Sequence, residues 1–153
     1  MWEIRVVHVG KISDASIRKG IERYAGMVGG EWRVNTEAAP SSKRPEPEAA
    51  KREEGRALLR RLRPGGVSVA LDPAGETMDS EAFARFLGGR KDAGQPVTFV
   101  VGGPHGLDAG VLKAASRRVS LSAMTLPHEL ATLVLMEQIF RAYAACAGKA
   151  YAK

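Results

Sequence analysis

Five short runs rich in β-branched and apolar residues alternate with helix-periodic segments along the whole 153-residue chain. That alternation leaves little room for anything but an α/β fold. The runs are Glu3–Val9, Trp32–Thr36, Val67–Leu71, Val97–Val101 and Arg118–Leu121. The third and fourth are almost continuously apolar, as expected of strands covered on both faces of a parallel sheet. Between them, Ser13 or Asp14 can cap a helix with Ile17, Ile21, Tyr24 and Val28 on one face. A basic helix is predicted from about Glu48 to Leu62, with Ala50, Ala57, Leu58 and Leu62 as its apolar stripe. Further helices are predicted from Asp79 or Ser80 (bearing Phe83, Phe86 and Leu87), from Asp108 to Ser116, and from Glu129 to Cys146. Residues 38–47 and the turn Asp72-Pro73-Ala74-Gly75 read as loops. The expectation is one domain over 1–153, with a largely parallel sheet and helices on both faces.

Composition narrows the class. The formal charge is +6, and the segment Lys43–Arg63 holds eight basic residues against four acidic ones. It thus carries most of the excess, so an acidic partner such as nucleic acid and a plain solvated helix face are equally open readings. The chain has no bilayer-length apolar run, no signal-peptide order at its start, and one cysteine, Cys146. A cytoplasmic setting without a membrane partner follows as an expectation. Cys146 itself reads as a small buried residue. The three histidines, at 8, 105 and 128, are isolated, so no metal site is expected.

Chemistry concentrates in three loops that follow apolar strands: Leu71-Asp72-Pro73-Ala74-Gly75, Gly102-Gly103-Pro104-His105-Gly106, and Leu121-Ser122-Ala123-Met124-Thr125-Leu126-Pro127-His128. Ligands of open α/β sheets sit beyond the C-terminal strand ends, where such loops converge. Paired glycines after Val101 let a backbone approach a ligand closely, although Gly and Pro also punctuate many ordinary turns. There is no G-x-G-x-x-G after the first strand, no P-loop and no nucleophile elbow.

Taken together, Gly102-Gly103-Pro104-x-Gly106-Leu107, the run Leu121 to His128, and a helix carrying Phe140-Arg141-Ala142-Tyr143 resemble the SPOUT-class rRNA pseudouridine methyltransferases. The likeness runs over the whole chain, strongest from Leu71 to Tyr143 and faint from Glu31 to Pro64. It implies a C-terminal deep trefoil knot, with knot and cofactor region over about 67–147. It also implies S-adenosyl-L-methionine as cofactor, N3 of a pseudouridine in 23S rRNA of the large ribosomal subunit as substrate, and no role for DNA. The family's cofactor positions fall on Leu71, Gly102, Gly103, Leu121, Ser122, Ala123, Met124, Thr125 and Leu126. The resemblance further implies a homodimer with substrate sites built from both subunits. A helix apolar nearly all round, with Leu130, Leu133, Val134 and Phe140 beside Leu135, Met136, Ile139 and Tyr143, agrees with that.

The catalytic candidates are Tyr151, Arg141 and His128. Arg141 lies among apolar residues, where a phosphate or carboxylate partner is expected. The family's tail, Pro-Tyr-His and a basic residue, stands here as Ala150-Tyr151-Ala152-Lys153, with alanine in place of both proline and histidine. A methyltransferase for another RNA, or an RNA-binding assembly protein on the same fold with weakened or lost catalysis, stays open beside the first reading. Trp32 and Tyr143 read as core, and His105 as solvent-facing.

Overall fold

A computed structural model describes residues 1–151. Ten elements alternate strictly: β1 (Trp2–Val9), α1 (Ala15–Met27), β2 (Trp32–Ala39), α2 (Pro47–Leu59), β3 (Val67–Thr77), α3 (Ser80–Asp92), β4 (Val97–Val101), α4 (Ala109–Ala114), β5 (Arg117–Ser120) and α5 (His128–Cys146). The strands form one sheet in the order β2-β1-β4-β3-β5, and every pairing is parallel. The α/β expectation with a parallel sheet therefore holds.

Central β4 is buried at all five positions, which explains why its sequence is apolar without alternation. One face of the sheet packs under α1, α3 and α5, in a core that includes Phe99, Leu135, Met136 and Ile139. The other face carries α2 and α4, through Val7, Val100, Leu58 and Val111. Each fully buried aliphatic or aromatic side chain here contributes roughly 1.5–3 kcal/mol. Trp32 and Tyr143 are buried in the first core, edge to face with each other at 5.8 Å between ring centroids.

Local signals set the helix starts. Asp14, Asp79 and Asp108 each accept a hydrogen bond from an N–H in the first turn of α1, α3 and α4. Glu46 does the same for α2, with Pro47 at its first position. Helix α5 has no side-chain cap and follows Pro127 instead.

Four boundaries differ from the sequence reading by more than one residue. Strand β2 continues to Ala39, because its whole length pairs with β1. Helix α2 stops at Leu59 and α4 at Ala114. The Asp72–Gly75 turn is not the end of β3 but an irregularity inside it: Leu71 and Glu76 both register with Val119. Gly75 is needed there, since a Cβ would stand 2.7 Å from the backbone carbonyl carbon of Arg118.

Candidate functional site

The irregularity inside β3 and the carboxyl ends of β4 and β5 open into a cavity of about 700 Å³, within the range that holds a small-molecule ligand. Its walls are Leu71, Asp72 and Pro73 from β3, the turn after β4 through Leu107, and the segment from Leu121 to His128. Leu112 of α4 and Ala131 of α5 close it. The surface is mostly hydrocarbon, and Asp72 is its one carboxylate among the described residues.

The three loops predicted to carry chemistry thus meet in one place. Leu71, Gly102, Gly103, Leu121, Ser122, Met124, Thr125 and Leu126 all line the cavity, whereas Ala123 is exposed and does not. The Leu121–Leu126 segment is shaped by its own serines. Ser120 Oγ donates to the Ser122 carbonyl at 3.0 Å, and Met124 N–H donates to Ser122 Oγ at 2.9 Å. The side chains on either side of Ala123 are thereby turned toward the cavity or its rim.

The glycines are also needed by the turn itself. A Cβ on Gly102 would stand 2.8 Å from the carbonyl carbon and oxygen of Gly106. Gly102 is therefore required for the turn to fold on itself, where Gly106 N–H donates to Gly103 C=O at 3.0 Å. Gly106 has φ +82°, a conformation that favours glycine. His105 at the tip is exposed, as expected.

His128, first residue of α5, is half-buried on the cavity wall, and its carbonyl accepts from Thr132 Oγ1 at 2.8 Å. The following Glu129 anchors α5 to the β1–α1 connection by accepting from Ser13 Oγ (2.7 Å) and Asp14 N–H (3.0 Å). Those two bonds, that from Asp14 N–H first, hold its carboxyl below the usual range.

Arg141 and Tyr151 do not line the cavity. Arg141 lies thirteen positions after His128 on α5, a rise of roughly 20 Å. At that far end Arg141 Nε pairs with Glu137 at 2.8 Å, the carboxylate partner expected for it, and its guanidinium lies 4.7 Å over the Tyr151 ring. Tyr151 meets Phe140 edge to face at 4.8 Å. Burial first, then a hydrogen bond with Tyr24, raise its phenol above the ordinary value. Ala152 and Lys153 lie outside the described residues, so the alanine in the family's histidine position has no structural account. Cys146, expected to be buried, is exposed near the end of α5. Among the described residues no cluster of metal-ligating side chains exists, and no helix is long and apolar enough to cross a membrane.

One polar residue beside the site was not anticipated. Glu54 of α2 is 5% exposed and stands behind Gly103. Its position between Ala50, Ala57 and Leu58 on the apolar stripe was the available signal: a carboxylate at that helical phase has to be buried.

An α/β sheet with a ligand-sized cavity over the β3 irregularity and two strand ends, built from Gly-Gly-Pro-x-Gly and Leu-Ser-x-Met-Thr-Leu-Pro-His loops, defines a class. The family described as "Predicted SPOUT methyltransferase" matches residues 2–152, and the chain belongs to that family. Its relatives include ribosomal RNA large subunit methyltransferase H of Carboxydothermus hydrogenoformans, 37% identical over 99% of both chains. The protein of the same name from Geotalea daltonii is 35% identical over 97% of both. Among solved structures, a probable methyltransferase from Bordetella pertussis Tohama I shares the fold, with TM-score 0.58 at 19% identity. That match covers 93% of this chain and 96% of the other.

Proposed function

We propose that this chain is an S-adenosyl-L-methionine-dependent methyltransferase acting on N3 of a pseudouridine in 23S rRNA of the large ribosomal subunit, in the cytoplasm. The observation that carries the reading is the cavity. Its lining residues run from Leu71 to Ala131, inside the 67–147 span where the family's trefoil knot is expected. The residues present fit the cofactor. Leu71, Leu107, Leu121 and Leu126 offer apolar walls to a flat purine, and Asp72 offers a negative charge to a cationic ligand. When bound, S-adenosyl-L-methionine supplies an electrophilic methyl group on a sulfonium.

What this chain must add is alignment of the base and removal of its N3 proton. His128 is an imidazole on the cavity wall and takes the role of proton acceptor. Tyr151 and Arg141 hold the base and its phosphate, but they stand at the other end of α5. Two copies paired along α5 resolve this, the tail of one serving the cavity of the other. The exposed Leu130 and half-buried Leu133, Val134 and Phe140 supply apolar surface for such pairing.

Methyl-labelled cofactor incubated with large subunits, assembled ribosomes, free rRNA and tRNA tests the proposal. Label confined to large-subunit rRNA is expected. Label in tRNA or small-subunit rRNA, or cofactor bound without any transfer, would contradict it.

A further inference from the structure

Glu54 sits where no methyl-transfer step uses it, yet its surroundings are specific. One oxygen, Oε2, accepts from Ser42 N–H at 3.0 Å. The other, Oε1, is buried and has no hydrogen-bond partner among the described residues. It lies 3.3 Å from the point where a Cβ of Gly103 would stand. The next residue, Gly55, brings α2 against Asp108, the N-cap of α4 just beyond the same turn. A Cβ there would be 3.0 Å from the Asp108 side chain. Consecutive residues of one helix therefore back Gly103 of the cavity turn and the start of the helix that follows it.

A buried carboxylate oxygen without a donor is costly, and the cost is relieved by any small turn movement that brings an N–H to it. The bond already accepted from Ser42 ties the same carboxylate to the 40–46 segment carrying Lys43 and Arg44. We propose that Glu54 is a positioning residue that sets the Gly102–Gly106 turn for cofactor and couples it to the basic 40–46 segment. This rests on the cavity being the S-adenosyl-L-methionine site. Through the shared carboxylate, the turn position that cofactor needs and the placement of the 40–46 segment each favour the other, and the coupling is reciprocal.

Two variants test it in the full-length protein: Glu54→Gln, which keeps size and an acceptor for Ser42, and Ser42→Pro, which removes the donor from a segment outside the cavity. Calorimetric titration with S-adenosyl-L-methionine and thermal melts are recorded for each. The expected result is a cofactor Kd raised about tenfold in both, with melting little changed, and a double variant no worse than the weaker-binding single. In turnover assays the KM for cofactor rises while kcat at saturation holds. Parental affinity in Glu54→Gln, or in Ser42→Pro alone, would overturn the coupling. Lower melting with unaltered affinity would reduce Glu54 to a structural residue and overturn it as well. If the parent itself failed to bind the cofactor, the failure would belong to the functional reading and not to Glu54.

Discussion

At the residue scale, the turn after β4 has no room for a single added carbon at Gly102. Gly102→Ala forces a Cβ to within 2.8 Å of the Gly106 backbone. We expect it to cost roughly 1–3 kcal/mol in thermal or denaturant unfolding, with cofactor affinity falling as a consequence. Unchanged stability would mean the turn relaxes freely. His8 gives a pH signature. Burial holds its imidazole below the ordinary value of 6.5. Nearby His128 acts in the same direction, while the Nδ1–H bond to the Gly10 carbonyl at 2.7 Å and the Glu129 charge oppose it. A histidine kept neutral by the fold is protonated first in the unfolded chain. Stability is therefore complete above pH 6.5 and declines as pH falls through and below that value. Melting at about pH 7.5 and pH 5 should show this loss, and His8→Gln should shrink it. The loop residues were legible because glycine, proline and serine mark strand ends. Ala123 pointing outward was not, since it depends on the Ser122 turn. Nor was Cys146, which stays exposed although its thiol reaches the Ala84 carbonyl of α3 at 3.9 Å.

At the element scale, α2 and its C-cap present Arg52, Arg56 and Arg60 on one exposed stripe, each about 6 Å further along the axis. None of the three has an ion pair among the described residues. Arg61 is different: it pairs with Glu37 at 2.9 Å and donates to the Ala57 carbonyl. Arg44, Lys51 and Arg63 are also paired, with Glu53, Glu48 and Glu3. Converting the stripe to glutamine should change the slope of log affinity for single-stranded RNA against log salt by roughly 0.7 for each phosphate no longer neutralised. Arg61→Gln should leave that slope alone, and an unaltered slope in the triple variant would make the stripe a solvated face. The sequence located this helix but not which of its arginines remain outward, because ion pairs such as Arg61 with Glu37 join elements distant in sequence. Strand β3 shows the same limit. Asp72-Pro73 reads as a chain stop, yet pairing with Val119 and Ser120 carries the strand on to Thr77. Within α5, Ile139 is fully buried, and Ile139→Ala should cost roughly 2–5 kcal/mol.

On the scale of the whole molecule, alternation announced a parallel α/β sheet but not the order in which β4 comes between β1 and β3. That order is a long-range choice, and it brings the β3 irregularity and the ends of β4 and β5 together over one cavity. The split of the catalytic candidates between the two ends of α5 follows from the helix rise alone, but that the cavity lies at the His128 end and not at the Arg141 end was invisible until the helix was placed. The proposed dimer follows from that split, and mixing subunits tests it. Leu126→Arg places a long cation in the cavity wall, and Tyr151→Ala removes the tail aromatic ring. Each homodimer should be inactive in labelled methyl transfer to large-subunit rRNA. Co-folded in equal amounts, half of the dimers are mixed, and each mixed dimer has one site with an intact cavity and an intact tail. Recovery of about one quarter of the parental activity is the expected result. No recovery, with mixed dimers present by light scattering and tag exchange, would contradict a methyl-transfer site built from two copies of this chain.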